Sequence, residues 1–404
     1  MKHAPRVRFL DRTTPPHIAT LILLTGISAL AMNVFLPSLP GMALYFETDY
    51  RVMQLSVAVY LGVNAFLQIL IGPISDKMGR RPVILWGLAL FMAATLGCLL
   101  APTAEVFLFW RMCQAVIATT MVLSRAAVRD MYEQDEAASM IGYVTMGMAV
   151  VPMVGPAIGG ALDDVFGWQA NFWMLFVLGG LCLALAWSDL GETARTTGKS
   201  LPDQFREYPE LLTSPRFWGY SLASAFASGA FFAYLGGAPF VGSVIFGLTP
   251  SQLGLYFGAP AVGYFAGNFL TGRYAVRIGV NRMVLWGCCL VSVGMSLSLL
   301  LFWLGLGTVN TFFALMTFVG LGNGLTIPNA TAGLLSVRPH LAGTASGLGG
   351  AIMLAGGAMT SALAGALLSA ETGVAPLLLL MLFSGLLGIV AICVVIVRQR
   401  QLGV

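Results

Sequence analysis

The chain has 404 residues, of which 58% are hydrophobic and only 9% are charged. An ordinary soluble domain carries about 25% charged residues, so this composition excludes a soluble globular protein. The formal net charge of +4 does not indicate a nucleic-acid partner, because the Lys and Arg residues are spread over short loops and form no dense basic run.

Apolar runs of membrane-spanning length follow one another along the whole chain. A helix needs about 20 residues to cross roughly 30 Å of hydrocarbon. Twelve runs fit, at residues 17–40, 53–73, 82–101, 104–126, 137–161, 168–188, 217–240, 251–272, 282–303, 309–333, 341–369 and 374–397. The first run has no convincing cleavage site after it, so we expect it to remain as an anchor in the lipid bilayer. The pattern predicts an all-α integral membrane protein with 12 transmembrane helices.

A short charged segment from Gly72 to Pro82 lies between the second and third predicted helices, and part of it recurs 200 residues later. The matching pairs are Gly72/Gly272, Gly79/Gly279, Leu85/Leu285, Trp86/Trp286, Gly87/Gly287 and Leu90/Leu290, with Lys77 against Arg277. A period of half the chain indicates an internal duplication. We predict two pseudo-symmetric six-helix halves, residues 1–190 and 217–404, joined by a cytoplasmic linker, residues 191–216.

The positions of the basic residues predict the orientation. On this helix assignment every other loop is positive, whereas the opposite face keeps only Arg51. The basic residues of the positive face are Lys2, Arg6, Arg8, Arg12, Lys77, Arg80, Arg81, Arg125, Arg129, Arg195, Lys199, Arg206, Arg216, Arg273, Arg277, Arg282, Arg398 and Arg400. Because positive loops stay in the cytoplasm, we expect both termini there.

Enzyme chemistry has little support in the sequence. It contains no phosphate-binding loop, no clustered metal ligands, and no Ser or Cys close to a His in one polar patch. The six cysteines all fall in apolar stretches without metal-ligand spacing. We therefore expect no enzyme activity, no cofactor and no metal site.

The charged segment after the second helix has two interpretations. Its cations can serve only as topological anchors. Alternatively, Asp76 faces the N-terminal end of the helix that begins near Leu341, and Arg80 pairs with Asp130 at the end of the fourth helix. The second interpretation predicts a cytoplasmic gate that latches the halves together, formed by Gly72, Asp76, Gly79, Arg80, Arg81, Arg129 and Asp130.

The same segment resembles the signature loop of the major facilitator superfamily. Four further stretches are similar to its drug:proton antiporter branch with 12 helices, particularly the Bcr/CflA (bicyclomycin and chloramphenicol resistance) transporters: Leu36-Pro37-Ser38-Leu39-Pro40, Arg111 with Gln114, Val128-Arg129-Asp130-Met131-Tyr132 and Gly167-Trp168-Gln169. The resemblance implies a multidrug efflux transporter of a bacterial inner membrane. It would work as a monomer and export amphipathic, phenicol-type or similar compounds by alternating access in exchange for protons.

The fifth predicted helix is rich in glycine and proline. These residues are Gly147, Pro152, Gly155, Pro156, Gly159 and Gly160. Glycines in membrane helices commonly serve close packing alone. The spacing is also similar to the motif that marks antiporters in the superfamily, in which case this helix would slide against the glycine-rich eleventh helix.

Arg111 is the only basic side chain well inside a predicted span, at a cost of about 2.5–3.5 kcal/mol. Snorkelling to the surface is one explanation. The resemblance instead implies proton coupling or substrate handling, for which we expect a carboxylate partner. The related transporters usually carry an acid where this chain has Asn33, and an amide cannot exchange a proton. Glu105 and Asp163 are the remaining candidates for proton coupling, together with Arg111.

Amides and aromatics on otherwise apolar helices predict the substrate site. Its candidates are Asn33, Phe35, Tyr60, Asn64, Arg111, Gln114, Met148, Tyr234, Tyr256, Asn268 and Asn323. Any one of the aromatics can equally be a packing or lipid contact. As a set they suit amphipathic, neutral or weakly anionic molecules. Two rivals remain: a transporter of an endogenous metabolite such as an amino acid or sugar, not coupled to protons, and a receptor that does not transport.

Overall fold

The computed structural model describes residues 7–132, 140, 144, 151, 154–194, 208–338 and 341–402. Within these residues the regular structure is helical, and ten helices are long and apolar enough to cross a membrane. Helical segments also occupy the fifth and eighth predicted spans. Gly147, Met148 and Pro152 lie outside the described residues.

We number the helical spans of the described residues α1 to α12 in chain order. Their bounds are α1 Ile18–Tyr45, α2 Tyr50–Met78, α3 Arg80–Leu99, α4 Ala104–Met131, α5 residues 154–166, α6 Gln169–Asp189, α7 Pro215–Ile245, α8 Pro250–Tyr256 with Ala259–Ile278, α9 Val280–Trp303, α10 Val309–Val337, α11 Ala342–Leu367 and α12 Ala375–Leu402. Each predicted span therefore contains a helix.

The prediction of a loop from Gly72 to Pro82 is wrong in its extent. Helix α2 continues through Pro73 to Met78, and α3 already begins at Arg80. The reversal is made by Gly79 alone, at φ 96° and ψ 151°. Residues with a side chain rarely adopt a positive φ, so one glycine here replaces a longer loop. The charged residues before it consequently stand on the last turn of α2.

The two halves repeat the same local geometry. Gly279, between α8 and α9, has φ 89° and ψ 148°, close to the values of Gly79. Two turns into the following helix, a Cβ on Gly87 would overlap the Thr119 hydroxyl, and a Cβ on Gly287 would overlap the Thr326 hydroxyl. The contact of α3 with α4 is thus rebuilt between α9 and α10. The sequence repeat is a structural repeat, as the major facilitator fold requires.

The molecule has two chemically different ends. The end that holds both glycine turns also holds Arg80, Arg277, Arg282 and Arg398, and we call it the basic end. The other, the opposite end, holds Arg51 among the described residues.

Helices α2 and α11 form the main contact between the halves. A Cβ on Gly62 would lie 3.9 Å from the Ala358 Cβ, and Gln68 lies close to Gly350. Nearer the basic end, no described atom lies within 4 Å of a Cβ built on Gly72 or on Gly347. The two helices therefore pack closely from the opposite end to the middle and diverge toward the basic end.

Candidate functional site

Arg111 on α4 lies in the interior of the first half and is fully buried. Its guanidinium carbon lies 4.4 Å from the ring centre of Phe35 on α1 and 4.0 Å from that of Tyr60 on α2. Aromatic faces attract a cation, and the attraction grows when water is excluded. The two rings therefore stabilise a charge that the bilayer would otherwise disfavour.

The hydrogen bonds of Arg111 join four helices. Its Nη1 donates to Gln114 Oε1 (2.5 Å), its Nη2 to the Ala31 carbonyl of α1 (2.9 Å), and its Nε to the Ser56 carbonyl of α2 (3.3 Å). Gln114 in turn donates to the Thr95 hydroxyl of α3 at 2.7 Å. A planar guanidinium suits this arrangement, because its donors point in fixed and different directions. Arg111 holds the first half together.

The expectation of a carboxylate partner for Arg111 is not met among the described residues. Neither Glu105 nor Asp163 forms an ion pair with it. Glu105 is exposed in the first turn of α4 and, six residues away, stands on a different face of the helix. Snorkelling is also wrong, since the side chain turns inward and is buried. Two backbone carbonyls, the Gln114 amide and two aromatic rings stabilise the guanidinium group of Arg111 in place of the expected carboxylate.

Several candidate side chains carry buried polar atoms without a hydrogen-bond partner. Asn33 donates to the Ala29 carbonyl at 2.7 Å, but its own Oδ1 accepts nothing. The Tyr234 hydroxyl and Asn323 Oδ1 are in the same situation. The Tyr60 hydroxyl lies near Asn64 without a hydrogen bond of normal geometry. Buried polar atoms are usually paired, so these four are free to receive a ligand or water.

The candidates form separate groups rather than one surface. In the first half, Arg111 contacts Phe35, Tyr60 and Gln114. In the second half, the Tyr234 ring packs 5.0 Å from that of Phe257. None of the described contacts joins the first-half group to the second-half group.

Of the other second-half candidates, Tyr256 shares a ring contact with Tyr234: the Phe313 ring stacks on Tyr256 at 4.7 Å and lies 6.4 Å from the ring of Tyr234. Tyr256 bonds the exposed Asn310 at 2.6 Å, near the opposite end. Asn268 bonds the Tyr264 carbonyl of its own helix at 2.8 Å, beside the contact of α8 with α10.

The described glycines of α5, which are Gly155, Gly159 and Gly160, contact α1 and α8 and not α11. A Cβ on Gly159 would overlap the Val34 carbonyl of α1, and a Cβ on Gly160 would overlap the Pro250 carbonyl of α8. From the other side of this contact, a Cβ on Gly254 of α8 would overlap the Pro156 carbonyl of α5. Glycine on both partners lets the backbones touch, and α11 is already packed on α2 and α7. The expectation that α5 slides against α11 is therefore wrong.

Gln54 closes the opposite end, and the sequence analysis missed it. This amide on α2 is 1% exposed and donates to the carbonyl and, at 2.9 Å, to the hydroxyl of Ser361 on α11. A Cβ on Gly236 of α7 or on Gly365 of α11 would overlap the Gln54 side chain. Two glycines of the second half therefore make room for one side chain of the first.

Tyr50 and Asp164 add further links at the opposite end. The Tyr50 hydroxyl donates to the Gly236 carbonyl at 2.7 Å, and its ring lies 5.2 Å from that of Phe240. Asp164 Oδ2 accepts the Ser251 N–H of α8 at 3.1 Å. With Gln54, these residues connect α2 and α5 to α7, α8 and α11. The sequence does contain a signal for this contact, because each of these residues is a polar residue at the edge of an apolar span.

At the basic end, Arg80 is the centre of a charged cluster. It pairs with Asp76 at 2.5 Å and with Asp130 at 3.1 Å, and it contacts the Ser75 hydroxyl. The predicted Arg80–Asp130 pair is thus present. The described bonds of Asp76 lie within the first half, and the expected contact with the helix that begins near Leu341 is not among them.

Glu192 completes this cluster from the segment that follows α6. Its carboxylate accepts the N–H groups of Arg80 (2.8 Å) and Arg81 (3.2 Å), and so caps the first turn of α3. Arg81 also lies over the ring of Trp187 at 5.3 Å. A carboxylate at a helix N-terminus therefore holds this part of the predicted linker in place. The described contacts of the cluster latch the first half to itself rather than to the second.

Arg129, the other predicted gate residue, is exposed near the end of α4. Gly72 faces the space where α2 and α11 diverge. Among the described residues, no group of three or more His, Cys, Asp or Glu could hold a metal ion.

Comparison with known families matches residues 21–245 and 238–403 to the Major Facilitator Superfamily. The chain belongs to the Major Facilitator Superfamily. It is therefore a multi-pass membrane transporter and not an enzyme, as predicted.

Its relatives in the superfamily include drug-resistance proteins. It is 33% identical to the chloramphenicol resistance protein of Pseudomonas aeruginosa, over 83% of this chain and 82% of that protein. It is 27% identical to the bicyclomycin resistance protein homolog of Haemophilus influenzae, over 87% and 89%. The predicted branch is confirmed. A crystal structure of the peptide transporter POT in complex with sulfate has the same fold, with a TM-score of 0.77, 13% identity and coverage of 94% and 96%.

Replacing Arg111 by Lys tests its structural role. Lysine keeps the charge but loses the fixed fork of donors, so we expect the free energy of unfolding to fall by about 2 kcal/mol or more, since one hydrogen bond to a charged group contributes roughly 1.5–3 kcal/mol. Thermal unfolding of the purified protein measures it. Arg129→Lys, at an exposed arginine of the same helix, is the control. Equal melting temperatures for the two variants would contradict the role.

A cysteine cross-link tests the closed opposite end. The Gly62→Cys, Ala358→Cys pair in a cysteine-free background has the Cβ separation of a disulfide, about 3.5–4.5 Å, and should form one readily. Adding Gln54→Ala should slow its formation, because the neighbouring contact is lost. Asn281→Ala is the control, since the hydrogen bonds of Asn281 stay within the second half. Cross-linking at the same rate with Gln54→Ala would show that Gln54 does not hold this end closed.

Proposed function

We propose that the protein exports small amphipathic, drug-like molecules from a bacterial cytoplasm by alternating access. The basic end lies in the cytoplasm, because positively charged loops are retained there, and both termini lie on that side of the inner membrane. The observation that carries the proposal is the asymmetry of the contact between the halves, which is tight at the opposite end and divergent at the basic end. An exporter loads its substrate in such an inward-facing state.

The polar groups near the middle of the molecule support a substrate without a strong charge. Asn33, Asn323 and Tyr234 offer unpaired oxygens in buried surroundings. Aromatic rings in both halves provide apolar surface and stacking. Such a lining favours a neutral aromatic amide or alcohol over an inorganic ion. This chemistry agrees with the resistance to chloramphenicol named for a relative.

Proton exchange needs a group that titrates and that the transport cycle perturbs. Asn33 cannot titrate. Asp163 is the best of the candidates, because it lies beside Ser38 and next to Asp164, whose carboxylate bonds the second half. Opening the opposite end would break that bond and change the surroundings of both acids. Glu105 is exposed, and its described hydrogen bonds stay within the first turn of α4, so it is the weaker candidate.

Chloramphenicol accumulation in inside-out membrane vesicles tests the proposal. With an acidic lumen, vesicles containing the protein should accumulate labelled chloramphenicol, and addition of the drug should release lumenal protons. Vesicles from the same host without the protein are the control. Absence of both accumulation and proton release for chloramphenicol and related phenicols would refute export by proton exchange.

Asn33 favours a second function, transport of an endogenous amino acid or sugar without proton coupling. A neutral amide in place of an acid removes the expected proton carrier from α1. In this case, exchange of labelled metabolite across the membrane would persist after an ionophore collapses the proton gradient. Drug accumulation that disappears with the gradient would instead support the first function.

The Asn33→Asp variant tests whether α1 has a vacant protonation site. Residue 33 lies between Ala31 and Phe35, both of which contact Arg111, so a carboxylate there would titrate close to a buried cation. We expect transport to depend more steeply on pH. Initial rates across a pH series measure the effect, with Asn268→Asp in the other half as control. An unchanged pH profile would place coupling elsewhere.

A further inference from the structure

An arginine-lined cavity of about 270 Å³ lies at the basic end of the second half. It is formed where α7 begins and where α10 and α12 end. We call it the arginine pocket; its lining includes Thr213, Ser214, Arg216, Val337, Arg338 and Arg398. The proposed transport function uses none of these residues.

Positive charge exceeds negative charge in the arginine pocket. Arg338 pairs with Glu210 at 2.9 Å. Arg398 bonds the neutral Gln401 at 3.2 Å, and Arg216 interacts with the Tyr220 hydroxyl. Three guanidinium groups thus face one carboxylate among the described contacts, which leaves two positive charges without a negative partner. A site of this kind attracts an anion.

The equivalent junction of the first half is filled by the chain's own carboxylates. There α1 begins, and α4 and α6 end. Asp189 is fully buried and accepts the N–H groups of Leu10 (2.6 Å) and His17 (2.9 Å), just before α1. Asp130 and Glu192 stand beside it on Arg80. Among the described residues, one junction of the repeat therefore supplies three acids beside Arg80, whereas the other supplies three arginines and one acid, Glu210.

The surroundings of the arginine pocket indicate which kind of anion it binds. Leu212 precedes the lining residue Thr213 in the chain, and Trp218 follows Arg216 by two residues; both are partly exposed, and Trp218 Nε1 donates to the Leu212 carbonyl at 2.8 Å. Tryptophan beside a basic group is typical of the level of lipid headgroups. The N-terminus of the long helix α7 adds a positive dipole.

We propose that the arginine pocket binds a phosphate group. Arg216 and Arg398 supply the charge, since guanidinium pairs with phosphate oxygens through two parallel hydrogen bonds. The bound anion then fastens the ends of α7, α10 and α12, as Asp189 fastens the start of α1. The phosphate comes from an anionic membrane lipid or from solution, and the two sources are separable by experiment.

Thermal unfolding of the full-length protein in neutral detergent tests the proposal with two probes. One probe is phosphatidylglycerol and the other is inorganic phosphate. Phosphatidylglycerol, phosphate or both should raise the melting temperature of the wild type. In Arg216→Gln/Arg398→Gln the apparent affinity for the active probe should fall about tenfold or more, as expected for the loss of charge-assisted hydrogen bonds.

A matched control removes the same charge at the same end of the molecule. Arg277→Gln/Arg400→Gln replaces two exposed arginines that do not line the pocket, and its affinity should stay near that of the wild type. If the double pocket variant does not fold, Arg398→Gln alone changes an exposed side chain and serves instead.

The outcomes separate clearly. A response to phosphatidylglycerol alone assigns the site to a lipid, and an equal response to inorganic phosphate assigns it to a soluble phosphate. No response to either probe overturns the proposal. An equal loss of affinity in the pocket and control variants also overturns it, because it would reflect net charge and not a site.

Discussion

The structure depends on a close contact between the halves in which a buried amide takes the space left by glycines. Gln54 of α2 inserts between Gly236 and Gly365 and bonds Ser361, while α5 touches α8 backbone to backbone through Gly160 and Gly254. Neither contact contains an ion pair. Neutral hydrogen bonds and backbone contacts contribute little net free energy each, so such a seal can open at modest cost. This property suits a surface that must open and close in every transport cycle.

Rocking of the halves requires that each half remains rigid while their contact changes. In the first half, Arg111 supplies this rigidity by joining four helices around one buried charge. The cluster of Arg80, Asp130 and Glu192 fixes the basic end of the same half. These strong interactions lie inside a half, whereas the described contacts that link the halves contain no ion pair and, apart from the bond of Asp164 to the Ser251 N–H, are neutral. The division explains how a bundle of twelve helices can tilt at one surface without unfolding.

The sequence predicts the spans, the duplication and the Arg80–Asp130 pair, because apolar length, a repeated glycine turn and opposite charges leave direct traces in it. It does not predict that Arg111 is held by carbonyl groups, since every residue has one and its position depends on the fold. The role of Gln54 could not be predicted for the same reason, because its partners are two glycines and Ser361, which is 307 residues away in the sequence. The partner of α5 was misassigned because glycine shows where helices pack but not against which helix. Glu192 falls in the predicted linker, and its helix-capping role could not be predicted because that role depends on the position of α3.

The central claim is that the two ends open reciprocally around the contact of α2 with α11. Electron-paramagnetic distance measurements on two spin-labelled pairs in a cysteine-free background test it most directly. Leu44 and Val244 are exposed near the opposite end, and Met78 and Val276 are exposed at the basic end. When the population shifts along the transport cycle, the account predicts that the distance between residues 44 and 244 lengthens as that between 78 and 276 shortens. Distances that change in the same sense at both ends, or at one end only, would contradict it.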